Sequence, residues 1–208
     1  MIVFANDHLP RSSKPTRSLN AAKREGFEDL VVTGKERNYI KSREFTDSAC
    51  LDSEAIDVVL FDFHSIDSFA ACCVARMALG ERAKYEAVTR SGFIGQLHTN
   101  VHDKTVAMLG VSWKFDCMHD LAWSCDTLMV MDTQSSAEIE LAEFIQTYRT
   151  ICFIDSMMGA GVMAWNFFYP GEPVPVMLRA LEDIHLGRYA FRDAREFEDG
   201  VEVVLDYW

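Results

Sequence analysis

No stretch of the sequence approaches the roughly 20 consecutive apolar residues that a membrane-crossing helix needs, so insertion into a bilayer by a helix is not expected. Basic residues are also scarce. Lys and Arg number 20 against 32 Asp and Glu, a formal net charge of −12. General nucleic-acid binding rests on clustered cations that neutralise phosphates, and this balance argues against it. The cysteines Cys50, Cys72, Cys73, Cys117, Cys125 and Cys152 form no C-x-x-C pair. Adjacent Cys72 and Cys73 would diverge by about 100° on a helix and do not suit a bridge. All six read as small buried apolar residues in a reducing compartment, which places the chain inside a cell, in cytoplasm or mitochondrial matrix. Cys117, His119 and Cys125 hold a fragment of a zinc pattern but lack a fourth ligand at useful spacing. No internal repeat or low-complexity tract is present.

What remains is globular. At 208 residues, 49% hydrophobic and 12% aromatic, the chain is long enough for one α/β domain with an appendage. Its charge is uneven. Residues 1–50 carry nine Lys and Arg against seven Asp and Glu, leaving 11 against 25 for the remainder. A slightly basic leader joined to a strongly acidic domain, residues 51–208, points to two different surroundings. The leader bears Arg and Ser as transit peptides do, yet Asp7 interrupts it and no amphipathic repeat develops. Pro10 to Pro15 is loop chemistry, Leu19 to Arg24 suits a turn or two of helix, and Phe27 to Val32 a short strand. With few apolar residues this leader cannot bury enough surface to fold alone. Ordering it would cost on the order of 50–100 kcal/mol of backbone entropy. Exposed ion pairs return under about 1 kcal/mol each, so the expectation is an extended segment that docks on another protein subunit. Ile2, Val3, Phe4, Phe27, Leu30 and Val31 are the residues expected to bind that partner.

The domain is organised around Asp57 to Gly80. Val58 to Phe61 has the composition of a buried parallel strand, and the turn Phe63-His64-Ser65-Ile66-Asp67 is dense in groups able to hold a metal or phosphate. A helix of small residues follows from Ser68 and stops at Gly80, a common helix-ending residue. In such units the chemistry sits in the turn at the carboxyl end of the strand. Further strands are expected at Lys84 to Val88, Thr105 to Leu109, Thr127 to Met131 and Thr150 to Ile154. Helices are expected at Cys117 to Ser124, from a capping box at Ser135 through Ile145, at Gly159 to Phe168 and at Val174 to Asp183. Ser91 to Asp103 reads as loop, and Val201 to Leu205 as a strand at most. Five strands alternating with helices predict a doubly wound, mostly parallel five-stranded sheet.

Four segments, in order, resemble the motifs of the DHH phosphoesterase superfamily, in its oligoribonuclease-like and exopolyphosphatase-like branch. Asp67-Ser68-Phe69-Ala70-Ala71 fits the end of the first motif, with Asp62 standing where that family has a metal-binding His. Thr127 to Gln134 looks like the apolar strand that runs into Asp-His-His. Ile151 to Asp155 followed by Gly159-Ala160 looks like the fourth motif. Ala164 to Gly171 and Leu181 to Leu186 resemble the helix and the acidic segment that come after. The resemblance covers about residues 57–199 and none of the leader, and it implies the family's α/β fold.

Active members of that family hold two divalent metals, usually manganese, that activate a water against a phosphodiester. The resemblance leaves this chain with Asp67, Asp132 and Asp155 in place, and with Asp62 and His64 as substitutes. Gly110 stands where the second-motif Asp is expected, and Thr133 and Gln134 replace both histidines. A glycine offers no side-chain ligand, and a hydroxyl and an amide are poor replacements for imidazole. A single Mg²⁺ or Mn²⁺ on the three aspartates is the alternative to no cofactor at all. If that cluster is vacant, mutual repulsion should raise at least one of its carboxyls and leave Asp132→Asn neutral or stabilising. The family's C-terminal substrate domain is expected to be missing, since Trp208 follows the acidic segment by about twenty residues. The expectation is therefore a non-catalytic accessory or structural subunit of a larger assembly. The alternative is a divalent-metal-dependent phosphoesterase on small phosphorylated or nucleotide substrates. Other patterns carry less. His64, Ser65 and Asp67 share one turn and cannot form a hydrolytic relay. His98 and His102 read as solvated loop residues, and Gly159-Ala160-Gly161 as a close-packing site.

Overall fold

The computed structural model describes residues 2–5, 51–142, 144, 150–191 and 194–205. The elements are β1 (Ile2–Ala5), β2 (Val58–Asp62), α1 (Ile66–Leu79), β3 (Lys84–Val88), β4 (Thr105–Leu109), α2 (Phe115–Ser124), β5 (Thr127–Asp132), α3 (Ser135–Glu140), β6 (Thr150–Ile154), α4 (Ala160–Phe168), α5 (Val176–His185) and α6 (Ala194–Leu205). One six-stranded sheet runs β1-β6-β5-β4-β2-β3. The pairs β3–β2, β2–β4, β4–β5 and β5–β6 are parallel. This is the expected doubly wound α/β fold, and its chain order reverses between β2 and β4, the switch point where such sheets open a crevice.

Period-two alternation builds both faces. Val59, Ala107, Leu109, Met129, Met131 and Phe153 face one core, against α1, α4 and α5. Val58, Leu60, Val106, Met108, Leu128, Val130, Cys152 and Ile154 face the other, with Met118, Leu121 and Phe144. Strands buried on both faces read as continuous apolar runs, which is why β2, β4, β5 and β6 stood out in the sequence. α1 ends at Gly80, whose φ of 57° lies in the left-handed region that glycine enters without penalty. The crossover from β3 to β4 is a loop with a 3-10 turn at Ile94–Gln96 rather than a helix. Glu86 on β3 ties that loop down, accepting 2.7 Å hydrogen bonds from the backbone N–H groups of both His98 and Thr99.

Four expectations need correction or completion. The sheet gains a sixth strand, because Ile2–Ala5 pairs antiparallel with β6, Ile2 opposite Ile154 and Ala5 opposite Ile151. Ile2, Val3 and Phe4 are thus paired within the chain. Phe27, Leu30, Val31 and the Leu19–Arg24 and Phe27–Val32 elements lie outside the described residues. Val201–Leu205 is helix, part of α6, not strand. Its Val-rich composition suggested β structure, but Ala194, Phe197, Val201, Val204 and Leu205 recur at the helical period. α3 starts at Ser135 itself with Gln134 as its flanking residue and no side-chain cap bond, so the capping box does not form. Cys72, Cys125 and Cys152 are buried as expected, whereas Cys73 is exposed and Cys117 half-buried. Burial pushes the Cys72 and Cys152 thiols up to about 12.

Candidate functional site

Parallel strands place their carboxyl ends together, so the sequence-selected residues share one edge. Asp62 closes β2, Asp132 closes β5, Asp155 follows β6, and Asp67 is in the first turn of α1. They do not form one cluster. One network holds Asp62 with Asp132, a second holds Asp67, and the centre of the first is taken by a residue that sequence reasoning missed.

That residue is Arg90, two positions beyond β3. Its Nη1 lies 3.3 Å from Asp132 Oδ2, its Nη2 donates to the Gly110 carbonyl at 2.9 Å, and its Nε is 3.8 Å from Asp62 Oδ2. The guanidinium thus fills the space between β2, β4 and β5 at the switch point. Asp132 is 0% exposed and fully engaged. Besides Arg90, it accepts from Ser112 Oγ at 2.6 Å and from the Gln134 N–H at 3.0 Å. Asp62 is also buried and accepts the His64 N–H at 3.0 Å. Arg90 is aimed by its neighbours. The indole N–H of buried Trp113 donates to the Thr89 carbonyl at 2.8 Å, and a Cβ on Gly92 would come within 2.7 Å of that nitrogen. One signal pointed to Arg90: an arginine just past a strand end, beside a sheet edge whose other strands end in aspartates that require a countercharge once buried.

Gly110, expected to stand in for a lost ligand, proves closed by sterics as well as chemistry. Its φ is +69°, and a Cβ there would fall 2.8 Å from Ser68 Cβ and 3.0 Å from Ala160 Cβ. Ser68 holds that space. Its hydroxyl accepts the Asp62 N–H at 2.8 Å and donates to the Leu109 carbonyl, stitching β2 to β4.

Asp67 belongs to a second arrangement. It accepts from the N–H groups of Ala160 and Gly161, the first residues of α4, where the helix dipole favours an anion. His185, ending α5, places Nδ1 3.7 Å away. Glu182 takes the Gly159 N–H at 2.9 Å. Burial pushes the Asp67 carboxyl above the usual aspartate value, while His185 and the two amides pull it back. One aspartate therefore is raised, but by burial, not by the mutual repulsion expected of a vacant cluster. Gly159-Ala160-Gly161 does pack closely: a Cβ on Gly161 would be 3.2 Å from Ala70 Cβ and Leu178 Cδ2, and Ala160 Cβ lies 3.0 Å from where a Cβ on Gly110 would stand.

Asp155 and His64 are each held locally. Asp155 Oδ1 accepts the Met157 N–H at 2.9 Å, and the His64 ring lies 3.8 Å from that of exposed Phe63. Thr133 is buried and Gln134 exposed. His98 and His102 are exposed loop residues as expected, with His102 Nε2 3.4 Å from Asp103. Of the zinc fragment, Cys125 is buried with its Sγ directed at the Ala122 carbonyl, and His119 Nδ1 is 3.2 Å from Asp120.

The fold defines the chain as a doubly wound α/β protein with an arginine–aspartate network at its switch point. No family model matches the chain, and no solved structure matches it. The chain is similar to an uncharacterized protein of Acanthamoeba polyphaga mimivirus, with 22% identity over 162 residues, covering 72% of this chain. The matched stretch spans 38% of the viral protein's length. Among the described residues no helix is long and apolar enough to cross a membrane.

Proposed function

We propose that the chain is a non-catalytic protein of DHH phosphoesterase type, serving as an accessory or structural subunit of a larger assembly. The observation that carries this reading is Arg90. A guanidinium between Asp62, Asp132 and the Gly110 carbonyl supplies internally the positive charge that a phosphoesterase of this type takes from metal ions. Its charge stands where that of a metal ion would be needed. Asp67 is likewise committed, to the α4 N-terminus. Carboxylates engaged this way brace strands and helices and are poorly placed to carry a water-activating metal pair.

The test is elemental analysis of the purified chain together with an assay on a simple phosphodiester in the presence of Mn²⁺. The expected result is no stoichiometric manganese and no turnover above background. Two equivalents of manganese, with turnover lost in Asp132→Ala, would overturn the reading. They would establish the alternative, a metal-dependent phosphoesterase on small phosphorylated or nucleotide substrates. From its native source, the chain is expected to elute at the size of a complex with a stoichiometric protein partner.

A further inference from the structure

Between β3 and β4 the chain runs through residues 89–104 with a 3-10 turn at Ile94–Gln96, where a parallel sheet ordinarily places a crossover helix. Connections of this length without a helix or strand of their own are uncommon in compact domains, and lids are among their uses. Both ends of the span are fixed. Gly92 is buried, with no room for a Cβ beside the Trp113 indole, and Val101 is buried in the core at the far end. Between them Phe93, Gly95, Gln96 and His98 are exposed. Ile94 and Leu97 are half-buried on the core that includes Val58, Leu60 and Val88.

One side chain fastens that span. Among the described residues, every hydrogen bond that residues 93–99 make beyond their own turn ends on Glu86. Its Oε1 accepts the His98 N–H, its Oε2 accepts the Thr99 N–H, and the Thr99 hydroxyl adds a further bond. The pattern needs an anion. A carboxylate accepts at both oxygens, whereas protonation turns one of them into a donor that faces an N–H. His98, on the span itself, is the titratable group whose charge bears on Glu86. Lys84, two residues back on β3, is exposed, and Leu60, opposite Glu86 on β2, is apolar. Burial works against the charged form of Glu86, but the Thr99 hydroxyl, the two amides and His98 outweigh it and hold the carboxyl below the usual glutamate value.

We propose that the β3–β4 crossover is an acid-released strap: the Glu86 carboxylate holds residues 93–99 down, and its protonation frees them as a unit, uncovering the apolar face beneath while the sheet stays folded. A carboxyl held lower in the fold than in the unfolded chain contributes stability that is present above the unfolded value, about 4.3, and is lost as pH falls through the folded one. The opening is local, because Gly92 and Val101 remain seated at the two ends. His98 acts in the opposite sense: once charged, it faces an anion and tightens the strap.

Hydrogen exchange of the full chain, read by mass spectrometry as protection factors so that the intrinsic pH dependence cancels, reports on the strap directly. In Glu86→Gln at neutral pH, peptides over residues 93–99 should lose protection at least about tenfold, while peptides over β4 and β5 keep theirs. Unchanged protection over residues 93–99 overturns the proposal. An equal loss in β4 and β5 also overturns it, since Glu86 would then brace the whole domain. A second measurement uses the unsubstituted chain, so it does not depend on the variant folding. As pH is lowered from neutral, residues 93–99 should lose protection below about pH 4.3, ahead of β4 and β5, and Glu86→Gln should show no such step. Loss complete by about pH 6, in the histidine range, overturns Glu86 as the trigger. Loss only together with the sheet overturns the strap.

Discussion

Replacing Arg90 by methionine keeps most of the aliphatic bulk and removes the charge, leaving buried Asp132 with Ser112 Oγ and the Gln134 amide but no cation. Breaking a fully buried pair costs about 3–5 kcal/mol. Arg90 is 33% exposed, so Arg90→Met should destabilise the chain by less, about 2–3 kcal/mol, read from denaturant midpoints. Asp132→Asn should also destabilise, and the double variant should cost less than the two together, because both break one interaction. A neutral or stabilising Asp132→Asn would restore the vacant, self-repelling cluster that the sequence suggested. Gly110→Ala belongs with these. Its Cβ meets Ser68 at 2.8 Å at a positive φ, so a loss of about 2–4 kcal/mol is expected. At this scale the sequence revealed the carboxylates and the odd glycine, because residue type is visible there. What the carboxylates touch was hidden. Arg90 lies 42 positions from Asp132 and only the sheet brings them together.

Among elements, β2, β4, β5 and β6 were legible because burial on both faces leaves an almost uninterrupted apolar run. β1 was not, since four residues are too few to show a period and their partner strand lies at the far end of the chain. α6 was misread because valine content outweighed spacing. The joint of α1, α4 and α5 carries a pH prediction through Asp67. Burial raises this carboxyl in the folded state above its unfolded value, so folding favours its protonated form. Its contribution to stability is fully present below the unfolded value near 4 and is lost as pH rises through the folded one. Asp67→Asn removes that titration, and one of the two α4 amides loses its acceptor, at a cost of about 1–2 kcal/mol. The deficit of the variant relative to the parent should therefore be largest near pH 4 and shrink toward pH 7, in urea titrations across that range. A deficit that grows with pH would mean the carboxylate is net stabilised in the fold.

For the whole molecule, alternation of strand and helix announced the fold class, while the strand order, with its reversal between β2 and β4, came only from the crossovers. That reversal sets what the molecule can bind, because the crevice it opens already contains a cation. A protein that binds metal in its native state gains RT ln(1 + [L]/Kd), about 2.7 kcal/mol per site at a hundredfold excess over Kd. In a domain of this size each kcal/mol shifts the melting midpoint by roughly 2–4 °C, so a two-metal centre would respond to Mn²⁺ by on the order of 10 °C or more. With Arg90 bridging Asp62, Asp132 and the Gly110 carbonyl, metal entry would require expelling its guanidinium. The melting midpoint in excess Mn²⁺ should consequently match that in EDTA to within about 1 °C, by differential scanning fluorimetry or calorimetry. A manganese-dependent rise several times larger would show that the arginine yields to metal, and the case for a chain without catalysis would fail with it.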